Sequence, residues 1–63
     1  MCQATIVLED KGGNKQVLED VIHLKVEGDE IWFAQFFEDP TVIKARIKEI
    51  DFLKHQVHIV PIP

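Results

Sequence analysis

The sequence has no tyrosine, one cysteine, one tryptophan and seven lysines and arginines set against eleven acids. Each shortage closes off a class of protein. A lone cysteine, Cys2, cannot form a disulfide within the chain. The formal charge of −4 is opposite to the balance with which nucleic-acid binders displace counterions from phosphate. No apolar run approaches the roughly 20 residues needed to span a bilayer. The start of the chain lacks a basic segment leading into an apolar one, the mark of a secretory signal. With the single free thiol, this points to a reducing, cytoplasmic setting and no membrane partner. There is no Ser-His-Asp set. Gly12-Gly13 is not followed by the Lys-Ser/Thr of a phosphate-cradling loop. Scattered carboxylates do not make an acid–base pair, so the chain is not expected to be an enzyme.

What is present reads as a single small domain spanning residues 1–63, all-β in class. A chain of 63 residues buries only about 60% of the surface its unfolded form exposes and usually needs a staple. With disulfides excluded, a metal or a second copy is left. Turn signals fall at Gly12-Gly13-Asn14, Gly28-Asp29, Glu38-Asp39-Pro40 and, more weakly, Asp51 to His55. Between them the chain alternates with period two, the mark of strands with one wet face. Cys2, Ala4, Ile6 and Leu8 share one side. Ile22, Leu24 and Val26 oppose His23, Lys25 and Glu27. Ile43, Ala45 and Ile47 oppose Lys44, Arg46 and Lys48. Val57 and Ile59 oppose Gln56 and His58. Ile31 to Phe37 is apolar on both sides, as in a central strand or one whose outer face meets another subunit. Residues 41–53 also fit a helical spacing, but their β-branched content and all-strand neighbours favour a strand. Pro61-Ile62-Pro63 is expected to cap the last strand.

Cys2 carries the most chemistry. A thiolate is a soft donor suited to nickel, copper or zinc, and at position two it lies beside backbone nitrogen donors. With Met1 removed, the α-amine and thiolate of Cys2 close a five-membered chelate. With Met1 kept, its amine, the deprotonated Cys2 amide and the sulfur close two fused rings. Nitrogen-rich tetragonal surroundings favour Ni(II) or Cu(II). One cysteine cannot fill four positions, but a two-fold dimer places two copies of it on its axis. The plainer alternative is a small core residue, since free cysteine is often buried. His23, His55 and His58 lack the spacing with cysteine that marks a closed zinc site, which leaves a histidine from a partner chain as a further donor type. Trp32, Phe33, Phe36 and Phe37 suit a core or a dimer interface, with Trp32 and Phe36 the interface candidates. Lys44, Arg46 and Lys48, with Lys25, form either a phosphate-binding stripe or a solvated face with cross-strand ion pairs.

The start Met1-Cys2-Gln3-Ala4-Thr5, the run Val17-Leu18-Glu19-Asp20-Val21, the turn Val26-Glu27-Gly28-Asp29 and the block from Arg46 to Leu53 together resemble the CooT-type nickel-binding family. That family also carries the label of predicted RNA-binding protein. The likeness covers essentially the whole chain, through motifs that are individually short. It implies a small SH3-like β-barrel, an antiparallel meander of about five to seven strands. It also implies a homodimer in which Cys2 of each chain holds one shared Ni(II). The role expected is nickel carriage or sensing for a nickel-dependent metalloenzyme maturation system. The member that gave the family its name delivers nickel to carbon monoxide dehydrogenase. Copper and zinc are expected to bind the same site in vitro. The chain departs from the family pattern at Phe36–Pro40, where a glycine is expected after a Leu-Phe-like pair, so the loop there is shaped differently. The rival functions are a small RNA-binding module and a ligand-free protein-interaction domain.

Overall fold

Alternating β-branched and polar residues leave little choice but extended chain, and the computed structural model, which describes residues 4–62, is built of strands and turns. Cys2 lies outside the described residues. The strands are β1 (Ala4–Glu9), β2 (Lys15–Glu27), β3 (Glu30–Gln35), β4 (Thr41–Asp51) and β5 (Gln56–Pro61). Each pairs antiparallel with the next, and the sheet closes on itself as a ring. Direction alternates along such a meander, so with an odd number of strands the first and last run the same way. The closing pair, β1 with β5, is accordingly parallel, from Thr5 opposite Gln56 to Leu8 opposite Ile59. The antiparallel meander expected from the sequence therefore holds for the four consecutive pairings and not for the closure. Residues 41–51 form a strand, as preferred over the helix.

Every strand sends residues into the interior. Ile6, Val21, Ile31, Phe33, Ala45 and Ile59 form the buried core. Leu8, Leu18, Leu24, Ile43, Ile47 and Val57 pack around it. The inward parities read for β1, β4 and β5 are those observed. In β2 they are not: Ile22 and Val26, expected inside with Leu24, are 57% and 53% exposed. The inward residues of β2 are Leu18, Val21 and Leu24, three apart instead of two.

Val26 keeps the parity of Leu24 in regular register with β3 and is exposed at the end of the strand, beside the Gly28-Asp29 turn. At Ile22, bulges are the reason. Between Ala4–Val21 and Ile6–Leu18, β1 advances two residues while β2 advances three. Between Val21–Gln35 and His23–Ala34, β2 advances two while β3 advances one. Asp20, between these shifts, sits at φ 59°. A bulged strand bends and twists more strongly, and here the bend lets one long strand pair with both β1 and β3. A third bulge lies between Ile47 and Glu49 in β4, against β5.

Three of the four turn signals lie on turns, and the third, Glu38-Asp39-Pro40, directly follows the turn made by Phe36 and Phe37. Asp10 organises the first, its Oδ1 accepting from the N–H groups of Gly12 and Asn14, each at 2.9 Å. Asp51 organises the last, its Oδ1 accepting from Leu53 N at 3.0 Å and Lys54 N at 3.1 Å. Glu27 pairs with Glu30 across the two-residue turn Gly28-Asp29. Gly28 has φ 57° there, the positive angle a type II′ hairpin needs at that position. A Cβ at Gly28 would meet nothing within 4 Å, so Gly28→Ala costs backbone strain alone, about 1–2 kcal/mol. Each kcal/mol is expected to lower Tm by roughly 4–8 °C in a domain this size. Gly12→Ala, where φ is not positive and the new Cβ would make ordinary 3.5 Å contacts, is expected to change Tm far less in the same thermal melt.

β3 ends at Gln35, so the apolar stretch Ile31–Phe37 is a strand followed by a turn tip. Phe37 occupies that tip at φ 65° with its side chain 97% exposed. A left-handed backbone costs a residue with a Cβ about 1–2 kcal/mol. The loop that departs from the family pattern thus carries a phenylalanine where the backbone favours glycine.

Candidate functional site

One residue, Gln3, separates Cys2 from Ala4, the start of β1, so chain length alone keeps the Cys2 Cα within about 7 Å of that of Ala4. The surroundings of Ala4 therefore define what a Cys2 site has to work with. Ala4 pairs with Val21 of β2. The next residue, Thr5, donates its N–H to His55 O at 2.9 Å, which ties the start of β1 to the β4–β5 turn.

Ala4 lines two surface hollows. One, of about 130 Å³, is shared with Ile50, Asp51, Phe52, His55 and Val57. The other, of about 190 Å³, is shared with Val21, Ile22, His23, Leu24 and Val57. Both fall below the several hundred Å³ typical of pockets for drug-sized ligands. Their linings include uncovered apolar side chains: Ile22 is half exposed and Phe52, at the β4–β5 turn, is 81% exposed, with the next residue of that turn, Leu53, 91% exposed. Large apolar side chains grouped in this way on so small a protein mark a surface that meets something.

The histidines divide accordingly. His23 lines one hollow and His55 the other. His58 lines neither; its Nε2 lies 3.2 Å from Gln56 Oε1. Among the described residues no three His, Cys, Asp or Glu side chains converge into a metal-holding group. Trp32 faces outward from β3. Lys25 Nζ sits 4.5 Å over its ring, and His23 meets it edge-on at 5.2 Å. The Trp32 face is thus continuous with the hollow that His23 lines. Phe36 leans on Phe37 with ring centroids 4.6 Å apart.

Lys44, Arg46 and Lys48 are exposed on β4. Lys48 reaches Glu9 at 3.7 Å, and Glu9 also meets Lys15 at 4.0 Å. These are the cross-strand pairs of a solvated face, each worth about 0–1 kcal/mol. Among the described residues no helix is long and apolar enough to cross a membrane.

The sequence did not reveal Ile22, Phe52 and Leu53 as part of this region. For Phe52 and Leu53 a local signal existed, since they follow Asp51 inside the weak fourth turn. For Ile22 none did, because a bulge sets its direction.

A closed β-ring of this size, with small hollows and an apolar surface around its first strand, is the build of a binding module. A family model for the CO dehydrogenase accessory protein CooT matches residues 1–60, and the chain belongs to that family. The resemblance read from the sequence is thereby established. In fold the chain is similar to the crystal structure of a protein assigned as CooT from Carboxydothermus hydrogenoformans. The TM-score is 0.80 at 24% identity, covering 98% of this chain and 100% of that one. No curated protein matches.

Proposed function

We propose that this protein is a nickel carrier for CO dehydrogenase maturation, an SH3-like barrel that works as a homodimer and shares one Ni(II) between the Cys2 residues of its two chains. The observation that carries the reading is the apolar, uncovered surface around Ala4, two positions along the chain from its one thiol. A second copy seated there covers Ile22, Phe52 and Leu53 and brings two thiolates together on the two-fold axis. Trp32, next to His23, extends the same contact.

The donor chemistry suits the ion. Two thiolates and two backbone nitrogens, whether amine or deprotonated amide, fill four positions in the nitrogen- and sulfur-rich surroundings that Ni(II) and Cu(II) favour. Affinity rises towards copper in any such site, so copper, and to a lesser degree zinc, should compete in vitro. His23 or His55 of either chain is positioned to line the site's approaches. In the cell the ion is cargo, handed on rather than used for chemistry here.

The test is a Ni(II) titration of the reduced protein, followed by optical absorption and by mass under native conditions. A thiolate-to-nickel charge-transfer band saturating at one metal per two chains is expected. Because the ion binds the dimer and not the separate chain, nickel should also tighten the dimer by mass action. A flat spectrum with an unchanged monomer–dimer equilibrium would sink the proposal. The RNA-binding alternative would show instead as salt-sensitive binding lost on charge reversal at Arg46. Lys48, one of its three bases, is already engaged by Glu9.

A further inference from the structure

A second apolar feature lies on the β3–β4 turn, and its chemistry differs from that around Ala4. Phe37 is almost wholly exposed and held in a backbone conformation that a bulky residue rarely adopts. Phe36 packs against it, so the two rings project as one aromatic knuckle. The knuckle is braced from behind. Phe36 N–H donates to Asp20 O at 2.9 Å, and Gln35 Nε2 donates to Glu19 O at 3.0 Å. These bonds tie the turn to the bulge of β2. They also bring Glu19 and Asp20 to the base of a turn that continues into Glu38 and Asp39. All four carboxylates are exposed. Between Gln16 and Ile43 the only lysine or arginine is Lys25, which sits over Trp32.

We infer that the Phe36–Phe37 knuckle, ringed by Glu19, Asp20, Glu38 and Asp39, docks the protein onto its client enzyme at an apolar pocket rimmed by lysine or arginine. The charge ring selects the occupant. A second copy meeting this surface across a two-fold axis would set two rings of carboxylates face to face, and like charges brought together at an interface work against association. That argues against the use of Phe36 in self-association that the sequence suggested. A basic-rimmed surface turns the same ring into attraction and steers the encounter. An exposed aromatic on a braced turn is the kind of anchor that dominates such interfaces. Strain at an exposed position, where the side chain packs on Phe36 alone among the aromatic rings, fits a residue that serves contact.

The inference rests on the accessory reading above, and the experiment separates the two. Nickel-free CO dehydrogenase is immobilised and the reduced, nickel-loaded protein is passed over it at low and moderate salt. The parent is expected to bind, more weakly as salt rises. Phe37→Asn, which suits a left-handed backbone, should fold as the parent does by circular dichroism and bind at least tenfold more weakly. Charge reversal of Glu38 and Asp39 to lysine should weaken binding further and remove its salt dependence, while nickel stoichiometry stays at the parent's value. Equal binding by Phe37→Asn and parent overturns the knuckle and leaves the accessory reading standing. No binding by the parent overturns both. A dimer that falls apart in Phe37→Asn by sedimentation makes a second copy the occupant and also overturns the inference.

Discussion

Replacing Phe33 by alanine is expected to unfold the isolated chain. Phe33 is 3% exposed and is the one aromatic in the described core. It projects from β3 into a ring closed by residues no larger than isoleucine and leucine. Phe→Ala in a core typically costs about 3–5 kcal/mol, from lost transfer energy and the cavity left behind. A chain of 63 residues has roughly 3–9 kcal/mol to lose, at about 0.05–0.15 kcal/mol per residue. The substitution therefore removes from about a third to all of the total. Urea melts followed by circular dichroism should show the midpoint collapse toward zero denaturant. Phe37→Ala, which deletes the same ring from an exposed position, should shift the midpoint little. A parent-like midpoint for Phe33→Ala would mean that the ring is not sealed as described. The same variant links fold to function. Nickel at a hundred times its dissociation constant adds about 2.7 kcal/mol to a folded state that alone binds it. That is comparable to the deficit, so nickel should restore much of the signal.

How much of this was legible beforehand varied along the chain. Period-two alternation placed Ile6, Ile43, Ala45, Ile47 and Ile59 correctly, because each sits in a regular stretch where one face is simply buried. It failed at Ile22 and Val26. At Ile22 the inward direction of β2 changes between two bulges, and a bulge is set by the partner strands, which local sequence does not contain. Val26 keeps the parity of Leu24 but sits at the strand end, where the ring no longer covers it. The left-handed residues Asp20 and Phe37 were equally hidden, since neither is a glycine. At the candidate site the chemistry of Cys2 could be read from its residue type and position. Its neighbours could not. Phe52 and His55 are some fifty residues away in sequence and come beside Ala4 only because the ring closes through the parallel pairing of β1 with β5. Closure is a property of the whole sheet. Cys2 was thus visible as a candidate donor, and the apolar surface beside Ala4 was not.

The second large effect is expected from Cys2→Ala, which should lower nickel affinity by more than about 100-fold. Losing a residue that merely orients a ligand costs 10–100-fold in metal affinity. In the proposed shared site this substitution removes a ligand outright, and a two-fold doubles the loss, since both thiolates vanish together. The charge-transfer band should disappear, because the nitrogen donors that remain have no sulfur orbital from which to promote an electron. Cys2→Ser tests the distinction. It keeps a donor atom at the same place in the side chain but exchanges soft sulfur for smaller, hard oxygen, so it too should lose the band and most of the affinity. The dimer supplies the contrast. In the absence of metal, Cys2→Ala should dimerise as the parent does, since Ile22, Phe52 and Leu53 are untouched, but nickel should no longer tighten it. Leu53→Lys should do the reverse. Its dimer is weakened with or without metal, and its nickel affinity falls only because the second thiolate is less often present, so raising the protein concentration restores it. Affinity that recovers with concentration in Leu53→Lys, and never in Cys2→Ala, would assign the ligand to one residue and the assembly to the other. Recovery in both would mean that Cys2 acts through packing and that the ion is held elsewhere.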